Sequence, residues 1–285
     1  MNVPRLAAAI LLCGSSSALA HDFFLVPRAA DGAAGRTVEI AMHVSDTFPG
    51  EPSPWRPERV HRLFLADGGG RLQLPSPAVA GDPPRARVTL RSPGTAWIAL
   101  VTNPSYIELA PDDFAGYLKH EGHDEVRRAR RAGGDDGRPG RERYTRFVKT
   151  LVRGSEGPAD RRPAGKPAGG GADGAPAARP LGLPIEIVPL SDPGTLRPGG
   201  RLEVQVLFEE APYAGGTLCA THDGYSKEHD AYAWCDRLDG EGRAVVPVRA
   251  PGLQLLRITR MRRLQGDPKA DWESFWAALT FEVPR

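Results

Sequence analysis

Short apolar segments separated by glycine and proline constrain the fold of this chain more than any other feature of the sequence. Residues 37–44 partly alternate apolar and polar side chains, as expected of a strand with one buried face. Three glycines at 68–70 and the Pro93-Gly94 pair mark turns between the segments that follow. Short strands joined by such turns predict a β-sandwich. The other strand candidates in this half are 62–65, 86–90 and 96–101.

Residues 181–285 repeat this organisation and predict a second β-sandwich domain. Residues 185–188 and 202–208 alternate apolar and polar side chains, and glycine-containing turns separate the later segments. The number and spacing of these segments suit a small Greek-key sandwich of immunoglobulin or prealbumin type. Further strands are expected at 243–248, 254–258 and 277–283.

A small helical insert is expected in the first half, at about 108–154. Asp112 and Asp113 provide an N-terminal capping signal for a first helix. A second helix is predicted over 141–152, with Gly154 as its stop signal, because large apolar residues recur there at helical spacing. The apolar residues that define the two helix faces are Phe114, Tyr117 and Leu118 in the first, and Tyr144, Phe147, Val148 and Leu151 in the second.

The segment 155–180 separates the two halves. It contains no apolar side chain larger than alanine apart from proline, so it cannot bury enough apolar surface to offset the entropy of ordering it. We expect a flexible linker there. The predicted fold class is therefore mainly β, with two β-sandwich-like domains at 21–154 and 181–285. The C-terminal domain is expected to be immunoglobulin-like or prealbumin-like.

The first twenty residues have the organisation of a cleaved signal peptide. Arg5 is the charge that precedes a short apolar run, and Ala18-Leu19-Ala20 forms a small-x-small cleavage site. We expect cleavage after Ala20, so that the mature chain begins at His21 and works in the periplasm. The apolar run is shorter than the roughly 20 residues that span a bilayer, and we expect no membrane span in the mature chain.

The charge balance and the motifs exclude several classes of function. The chain has 37 Lys and Arg residues against 35 Asp and Glu residues, whereas a nucleic-acid partner normally requires a basic patch or stripe. Familiar catalytic signatures are absent, including the nucleophile elbow, the phosphate-binding glycine loop and the His-Glu-x-x-His zinc helix. We therefore expect a protein that is not an enzyme and binds no nucleic acid.

Two cysteines, Cys219 and Cys235, remain after the expected cleavage. In an oxidising compartment a disulfide between them is expected. It would close a loop of about 15 residues and stabilise the fold by roughly 3 kcal/mol in the chain-entropy estimate. The alternative is a pair of thiolate ligands for a metal ion.

His21 carries the sharpest chemical prediction in the sequence. After cleavage it would offer a free α-amine and an imidazole on one residue, and these two nitrogens can chelate a metal ion. Nitrogen ligands of this type suit copper, nickel, cobalt and zinc. The α-amine titrates near pH 8, so that metal coordination can displace its proton at neutral pH. The alternative is that His21 merely suits the cleavage junction.

The remaining metal ligands cannot be assigned from the sequence, but three other histidines are candidates. His43 lies on a predicted strand, whereas His222 and His229 lie in the loop between the two cysteines, together with several carboxylates. The alternative for this loop is a polar hairpin closed by the disulfide. His120 and His123 have the i, i+3 spacing of one helix face, and a solvated polar face is the simpler interpretation of that pair.

Four stretches of the mature chain form a recognisable set: the opening His21-Asp22-Phe23-Phe24-Leu25-Val26-Pro27 and the segments 141–149, 181–186 and 270–277. In these stretches the chain resembles a bacterial exported family long classed as a domain of unknown function, which includes periplasmic components of cobalt or nickel ABC uptake systems.

The resemblance implies a periplasmic accessory protein that binds nickel, cobalt or copper and serves a membrane metal transporter or another envelope protein. Two alternatives remain at this point. The first is an exported protein-interaction module without a metal ion. The second is a copper oxygenase built on an N-terminal histidine brace, which would need a second histidine near His21.

Overall fold

The fold is given by a computed structural model that describes residues 22–29, 37–75, 79–82, 85–91, 94–154 and 178–284. Within these ranges the strands form three sheets and there are two α-helices, so the prediction of a mainly β, sandwich-like fold is confirmed. The predicted signal peptide, His21 and residues 155–177 of the predicted linker lie outside the described residues. No helix among the described residues is long and apolar enough to cross a membrane.

The strands and helices follow one another along the chain with these bounds. In the first half they are β1 (Asp22–Ala29), β2 (Thr37–Ser45), β3 (Pro52–Ser53), β4 (Val60–Asp67), β5 (Gly70–Gln73), β6 (Val79–Ala80), β7 (Arg85–Thr89), β8 (Gly94–Thr102), β9 (Ser105–Leu109), α1 (Pro111–His120), α2 (Asp124–Ala132) and β10 (Gly140–Gly154). In the second half they are β11 (Ile185–Pro189), β12 (Arg201–Phe208), β13 (Ala211–Pro212), β14 (Thr217–His222), β15 (Trp234–Arg237), β16 (Arg243–Pro247), β17 (Gly252–Arg263) and β18 (Trp272–Val283).

A nine-stranded sheet takes strands from both halves of the chain. Its order is β15-β14-β17-β18-β10-β8-β4-β5, and β9 also pairs with β10. Strands β10 and β18 run parallel, from Glu142 opposite Trp272 to Thr150 opposite Thr280. The two halves, which we expected to form separate sandwiches, therefore share one sheet. Alternation along each strand cannot reveal this pairing, because it joins segments more than a hundred residues apart.

Two smaller sheets cover the two faces of this central sheet. The first contains β1, β2, β7 and β6 in that order, with β3 on β2, and the second is formed by β11, β12, β13 and β16. Along β8, Trp97 and Ala99 belong to the core shared with the second sheet, and Ile98 and Leu100 belong to the core shared with the first. Both faces of β8 are therefore buried, which explains why 96–101 is a continuous apolar run.

The predicted helix at 141–152 is wrong, because these residues lie in the long strand β10. Phe147 and Leu151 face the core beneath the second smaller sheet, whereas Val148 and Val152 face the core beneath the first. A strand with two buried faces places apolar residues on both sides, and here their spacing coincides with that of a helix face. The helical insert is therefore limited to α1 and α2.

The two short helices cover one end of the central sheet. Phe114, Tyr117 and Leu118 form the buried face of α1, as the sequence predicts. They pack in a third apolar cluster with Trp272 and Trp276 of β18. The last strand begins at Trp272, five residues before the predicted position 277. Its first aromatic side chains, Trp272 and Trp276, are covered by α1.

A buried ion pair ties the central sheet to β11. Lys149 Nζ of β10 lies 2.6 Å from Glu186 Oε1, and the two side chains are 2% and 1% exposed. The Glu186 carboxylate also accepts hydrogen bonds from the backbone N–H groups of Leu181 and Leu183. Burial lowers the pKa of Lys149, while Glu186 opposes this shift. The pair therefore fixes the start of the second half against β10.

We expect Lys149→Met to lower the free energy of unfolding by about 3–5 kcal/mol, because it leaves the Glu186 carboxylate buried without its cation. The double variant Lys149→Met/Glu186→Gln should recover part of this loss. Urea denaturation of the three proteins measures both effects. The control is Arg243→Met, which removes one partner of an exposed ion pair with Glu241 and should cost less than about 1 kcal/mol. Equal losses for Lys149→Met and Arg243→Met would contradict a stabilising buried pair.

Candidate functional site

A buried ion cluster lies where β1 meets the central sheet. Arg257 of β17 places Nε 2.7 Å from Asp22 Oδ1 and Nη2 2.8 Å from Glu121 Oε2. Asp22 is the first residue of β1, and Glu121 directly follows α1. All three side chains are buried. One guanidinium therefore links the amino-terminal strand and the end of a helix to the central sheet.

Neighbouring hydroxyl groups complete the hydrogen bonding of the two carboxylates. The Tyr232 hydroxyl donates to Asp22 Oδ2 over 2.8 Å, and Thr259 Oγ1 donates to Glu121 Oε2 over 2.9 Å. His123 Nε2 lies 3.0 Å from the same Thr259 oxygen. Because Thr259 gives its proton to Glu121, the assignment that satisfies both contacts has His123 donating to Thr259. Every member of the cluster is thus paired, as buried polar groups require.

Burial and charge pairing set the ionisation of the cluster. Burial acts against the charge of Arg257, but Asp22 and Glu121 raise its pKa well above the usual value. Burial would also raise the pKa of Glu121, but Arg257 and His123 outweigh this effect and lower it. Burial raises the pKa of Asp22, and Arg257 offsets part of that rise. Burial lowers the pKa of His123 to about 4, so this imidazole is neutral at pH 7.

A second buried carboxyl group lies close to this cluster, beneath α1. Glu142 of β10 accepts hydrogen bonds from Ser274 and, over 3.3 Å, from the Tyr117 hydroxyl. Trp276 Nε1 donates to Ser274 over 2.8 Å. Burial raises the pKa of Glu142 to about 7, and these hydrogen bonds offset only part of the rise. Unlike Glu121, this carboxyl has no buried cation within ion-pair distance among the described residues.

We expect Glu142→Gln to change how stability depends on pH. The Glu142 carboxyl has an ordinary pKa of 4.5 and one of about 7 in the fold. Between these values the folded state binds more protons than the unfolded state, so Glu142 makes the wild type lose stability as pH rises. His123 acts in the opposite direction, because its folded pKa lies below its ordinary value of 6.5.

The Glu142→Gln variant should therefore gain about 3 kcal/mol of unfolding free energy relative to the wild type between pH 4.5 and pH 7.5. Urea denaturation at pH 4.5, 6.0 and 7.5 measures this difference. The control Glu282→Gln changes an exposed residue on β18 and should show no such trend. Parallel pH profiles for Glu142→Gln and the wild type would contradict the raised pKa.

The sequence predicts four histidines as metal ligands, and the three that the structure describes do not lie together. His21 lies outside the described residues. His43 is buried in β2, where its ring stacks on Phe24 at 5.4 Å and Nδ1 lies 2.7 Å from the Pro49 carbonyl oxygen. The carbonyl can only accept, so Nδ1 carries the proton. Burial lowers the pKa of His43, which is therefore a neutral ring packed in the core.

His222, the last residue of β14, and His229, in the loop that follows it, have different surroundings. His222 Nδ1 lies 2.9 Å from the Asp223 carbonyl oxygen, and its ring contacts Tyr225 edge-on. His229 is largely exposed, and its Nδ1 contacts the Asp46 carboxylate. The backbone of the same loop contacts Asp46 again, where Asp230 N donates to the Asp46 carbonyl over 2.7 Å. The loop thus reaches across to the end of β2.

His120 and His123 do not share one helix face, because α1 ends at His120 and α2 begins at Asp124. His120 is exposed, and its ring lies 6.4 Å from the Tyr232 ring. His123 is buried against Thr259, so the expectation of a solvated polar face is wrong for His123. Among the residues that the structure describes, no group of three or more His, Cys, Asp or Glu side chains is arranged to hold a metal ion.

Cys219 and Cys235 are joined by a disulfide. They lie directly opposite each other on the paired strands β14 and β15. Their bonded sulfurs offer no thiolate to a metal ion, which removes the alternative of a thiolate pair in this structure. The disulfide instead fixes both ends of the loop that carries His222, His229 and Tyr232.

The sequence analysis did not identify Arg257, Glu121 or Glu142 as members of buried polar clusters. The sequence did contain one indication of a buried ion pair, because Arg257 lies within the apolar strand candidate 254–258. A charge in a strand with buried faces requires a partner of opposite charge. The partners Asp22 and Glu121 come from positions distant in sequence, so no spacing rule could have named them.

Comparison with known proteins gives a family match and weak similarities to solved structures. The model of the family described as "Domain of unknown function (DUF4198)" matches residues 18–262. A search of curated proteins finds no match. Among solved structures, the chain is similar to fibronectin(III)-like modules of Clostridium thermocellum CbhA, with 10% identity and a TM-score of 0.20 over 92% of this chain and 94% of that chain. A TM-score this low carries no argument about fold or function.

Proposed function

We propose that this chain, which belongs to the family described as Domain of unknown function (DUF4198), is an exported accessory protein that binds a divalent transition-metal ion at its mature amino terminus. Cleavage after Ala20 would give His21 a free α-amine, and this amine and the imidazole would bind nickel, cobalt or copper. The protein would deliver the ion to a membrane transporter or another envelope protein. Delivery rests on the family resemblance of the mature sequence.

The anchoring of Asp22 is the observation that carries this proposal. Asp22 is one peptide bond from His21, and consecutive Cα atoms are about 3.8 Å apart. The Asp22 carboxylate is held by Arg257 at 2.7 Å and by the Tyr232 hydroxyl at 2.8 Å. A chain terminus is usually mobile unless it is tied down. Here the residue next to the proposed chelate is buried and paired, which favours a preorganised site.

His229 is the described histidine best placed to add a further ligand. Its loop contacts Asp46, which directly follows β2, and the last residue of β2, Ser45, pairs with Asp22. When His229 Nδ1–H donates to the Asp46 carboxylate, Nε2 is left as a free acceptor. A carboxylate that orients an imidazole in this way is the usual outer-shell partner of a metal-bound histidine. We therefore assign Asp46 a positioning role.

His120 approaches the same region from the helical side. Its ring lies beside Tyr232, whose hydroxyl bonds to Asp22. His120 is exposed and can reorient toward an ion bound near Asp22. His43 and His222 are less suitable, because His43 is packed against Phe24 and His222 contacts Tyr225.

The proposal predicts that metal affinity depends on where the mature chain starts. Calorimetric titration with Ni(II), Co(II) and Cu(II) should compare the protein that begins at His21 with one that carries an extra alanine before His21, and with His21→Ala. Both changes should weaken binding at least tenfold, because each one breaks the amine–imidazole chelate. Affinity should also fall as pH drops through about 6–7, where protons compete for the imidazole.

Variants in the loop test the assignment of the further ligand. His229→Ala should weaken binding about as much as His21→Ala, and Asp46→Asn should weaken it by roughly 10–100-fold, as is typical for an outer-shell partner. His222→Ala is the matched control in the same loop and should leave affinity unchanged. Equal affinity for the mature, extended and His21→Ala proteins would refute the metal site and leave a protein-interaction module as the remaining hypothesis.

A further inference from the structure

A cleft of about 410 Å³ opens between the first smaller sheet and the central sheet. Phe23, Met42 and Leu100 form its apolar floor, and all three are buried members of the core between these sheets. None of the described residues that line the cleft belongs to the proposed metal site. Its volume falls within the range of about 300–1,000 Å³ that is usual for small-molecule sites. The cleft therefore has the size of a small-molecule site and a floor that favours an apolar ligand.

Val44 extends the apolar lining to the edge of the cleft. It is 37% exposed, whereas Ile40, Ala41 and Met42, which precede it on β2, are buried. Val44 also pairs directly with Phe23 on the neighbouring strand β1. An apolar ligand seated over Phe23 and Met42 would cover part of this valine, and removing its surface from water would favour binding.

The charged groups of the cleft do not require a charged ligand. The Arg146 guanidinium has interactions of its own, because it lies over the rings of Phe23 and Tyr144, at 5.4 and 4.9 Å from their centroids. Arg56 and Arg59 also line the cleft, but both are exposed to water at its rim. Charge pairs at such exposed positions contribute little, because water screens them. The apolar floor therefore has more influence on binding than the charge of the rim.

Two adjacent residues of the lining offer neutral hydrogen-bonding groups. Thr102 Oγ1 accepts a hydrogen bond from the Arg146 backbone N–H over 3.0 Å, and no described residue accepts the Thr102 hydroxyl proton. Asn103 Nδ2 donates to the Glu58 carbonyl over 2.8 Å, whereas Asn103 Oδ1 has no hydrogen-bond partner among the described residues. A ligand hydroxyl can accept from Thr102 and donate to Asn103, whereas a carboxylate can only accept.

We propose that this cleft binds a small neutral molecule with an apolar body and a hydroxyl group. The apolar body lies over Phe23, Met42 and Leu100, and the hydroxyl bonds to Thr102 and Asn103. A carboxylate in the same place would bring its charge against Asn103 Oδ1 and would lose its hydration beside an apolar floor, which is costly. The proposal does not depend on metal binding at the amino terminus.

The two methionines of the expected mature chain can report where a ligand binds. Met42 lines the cleft, whereas Met261 is buried in the third apolar cluster, beneath α1. The mature protein, with isotope-labelled methionine methyl groups, is titrated with n-hexanol and followed by NMR. We expect a saturable shift of the Met42 signal and no shift of the Met261 signal.

Two related compounds test the chemistry of the ligand. We expect n-butanol to bind roughly tenfold more weakly than n-hexanol, because it buries two fewer methylene groups. Hexanoate should also bind at least tenfold more weakly, because its charge is not matched in the cleft. Hexanoate affinity equal to or above that of n-hexanol would overturn the proposal. Equal shifts of both methionines, or no saturable shift of Met42, would overturn it as well.

Variants separate the apolar lining from the charged rim. Val44→Asp places a charge beside the apolar body and should weaken n-hexanol binding at least tenfold. Val245→Asp makes the same change at an exposed valine on β16, outside the cleft, and should leave the affinity unchanged. Arg59→Gln should change it less than about twofold, because the rim charge is screened by water. With folding of each variant checked by thermal melts, unchanged affinity in Val44→Asp or a large loss in Arg59→Gln would overturn the assignment.

Discussion

The ion pairs that Arg257 forms with the carboxylates of Asp22 and Glu121 determine how three distant parts of the chain meet. Arg257 lies on β17, Asp22 begins β1 and Glu121 follows α1. A buried charge is tolerated only when it is paired and fully hydrogen-bonded. Tyr232 and Thr259 supply the remaining hydrogen bonds. Because Tyr232 comes from the disulfide-closed loop, the same cluster also fixes that loop over the start of β1.

The central sheet gives this cluster a rigid base. Strands β10 and β18 pair in parallel between the two smaller sheets, so that both faces of the sheet are buried. The buried pair of Lys149 and Glu186 adds a polar tie between the halves. A site built on such elements is held more firmly than one built on loops alone. The proposed metal site combines the two, because Asp22 belongs to a strand and His229 to a loop.

The sequence predicted the parts of the fold that depend on local pattern. The face of α1 follows from helical periodicity, and most strand candidates follow from a local apolar pattern, which alternates at 202–208 and is continuous at 96–101. The apolar pattern gave a wrong prediction at 141–152, where a strand buried on both faces has apolar residues at helical spacing. It could not predict the pairing of β10 with β18 or the partners of Arg257, because those contacts join residues more than a hundred positions apart. The candidate site was predicted only as separate histidines, without the carboxylates and the arginine that hold the terminus.

A double-mutant cycle on Asp22 and Arg257 tests most directly whether this ion cluster anchors the amino-terminal strand. The unfolding free energies of the wild type, Asp22→Asn, Arg257→Gln and the double variant are measured by urea denaturation. The structure predicts a coupling energy of about 2 kcal/mol or more, because the two groups are buried in direct contact. Effects that add to within about 0.5 kcal/mol would show that the two residues act independently. That result would contradict an anchored amino terminus.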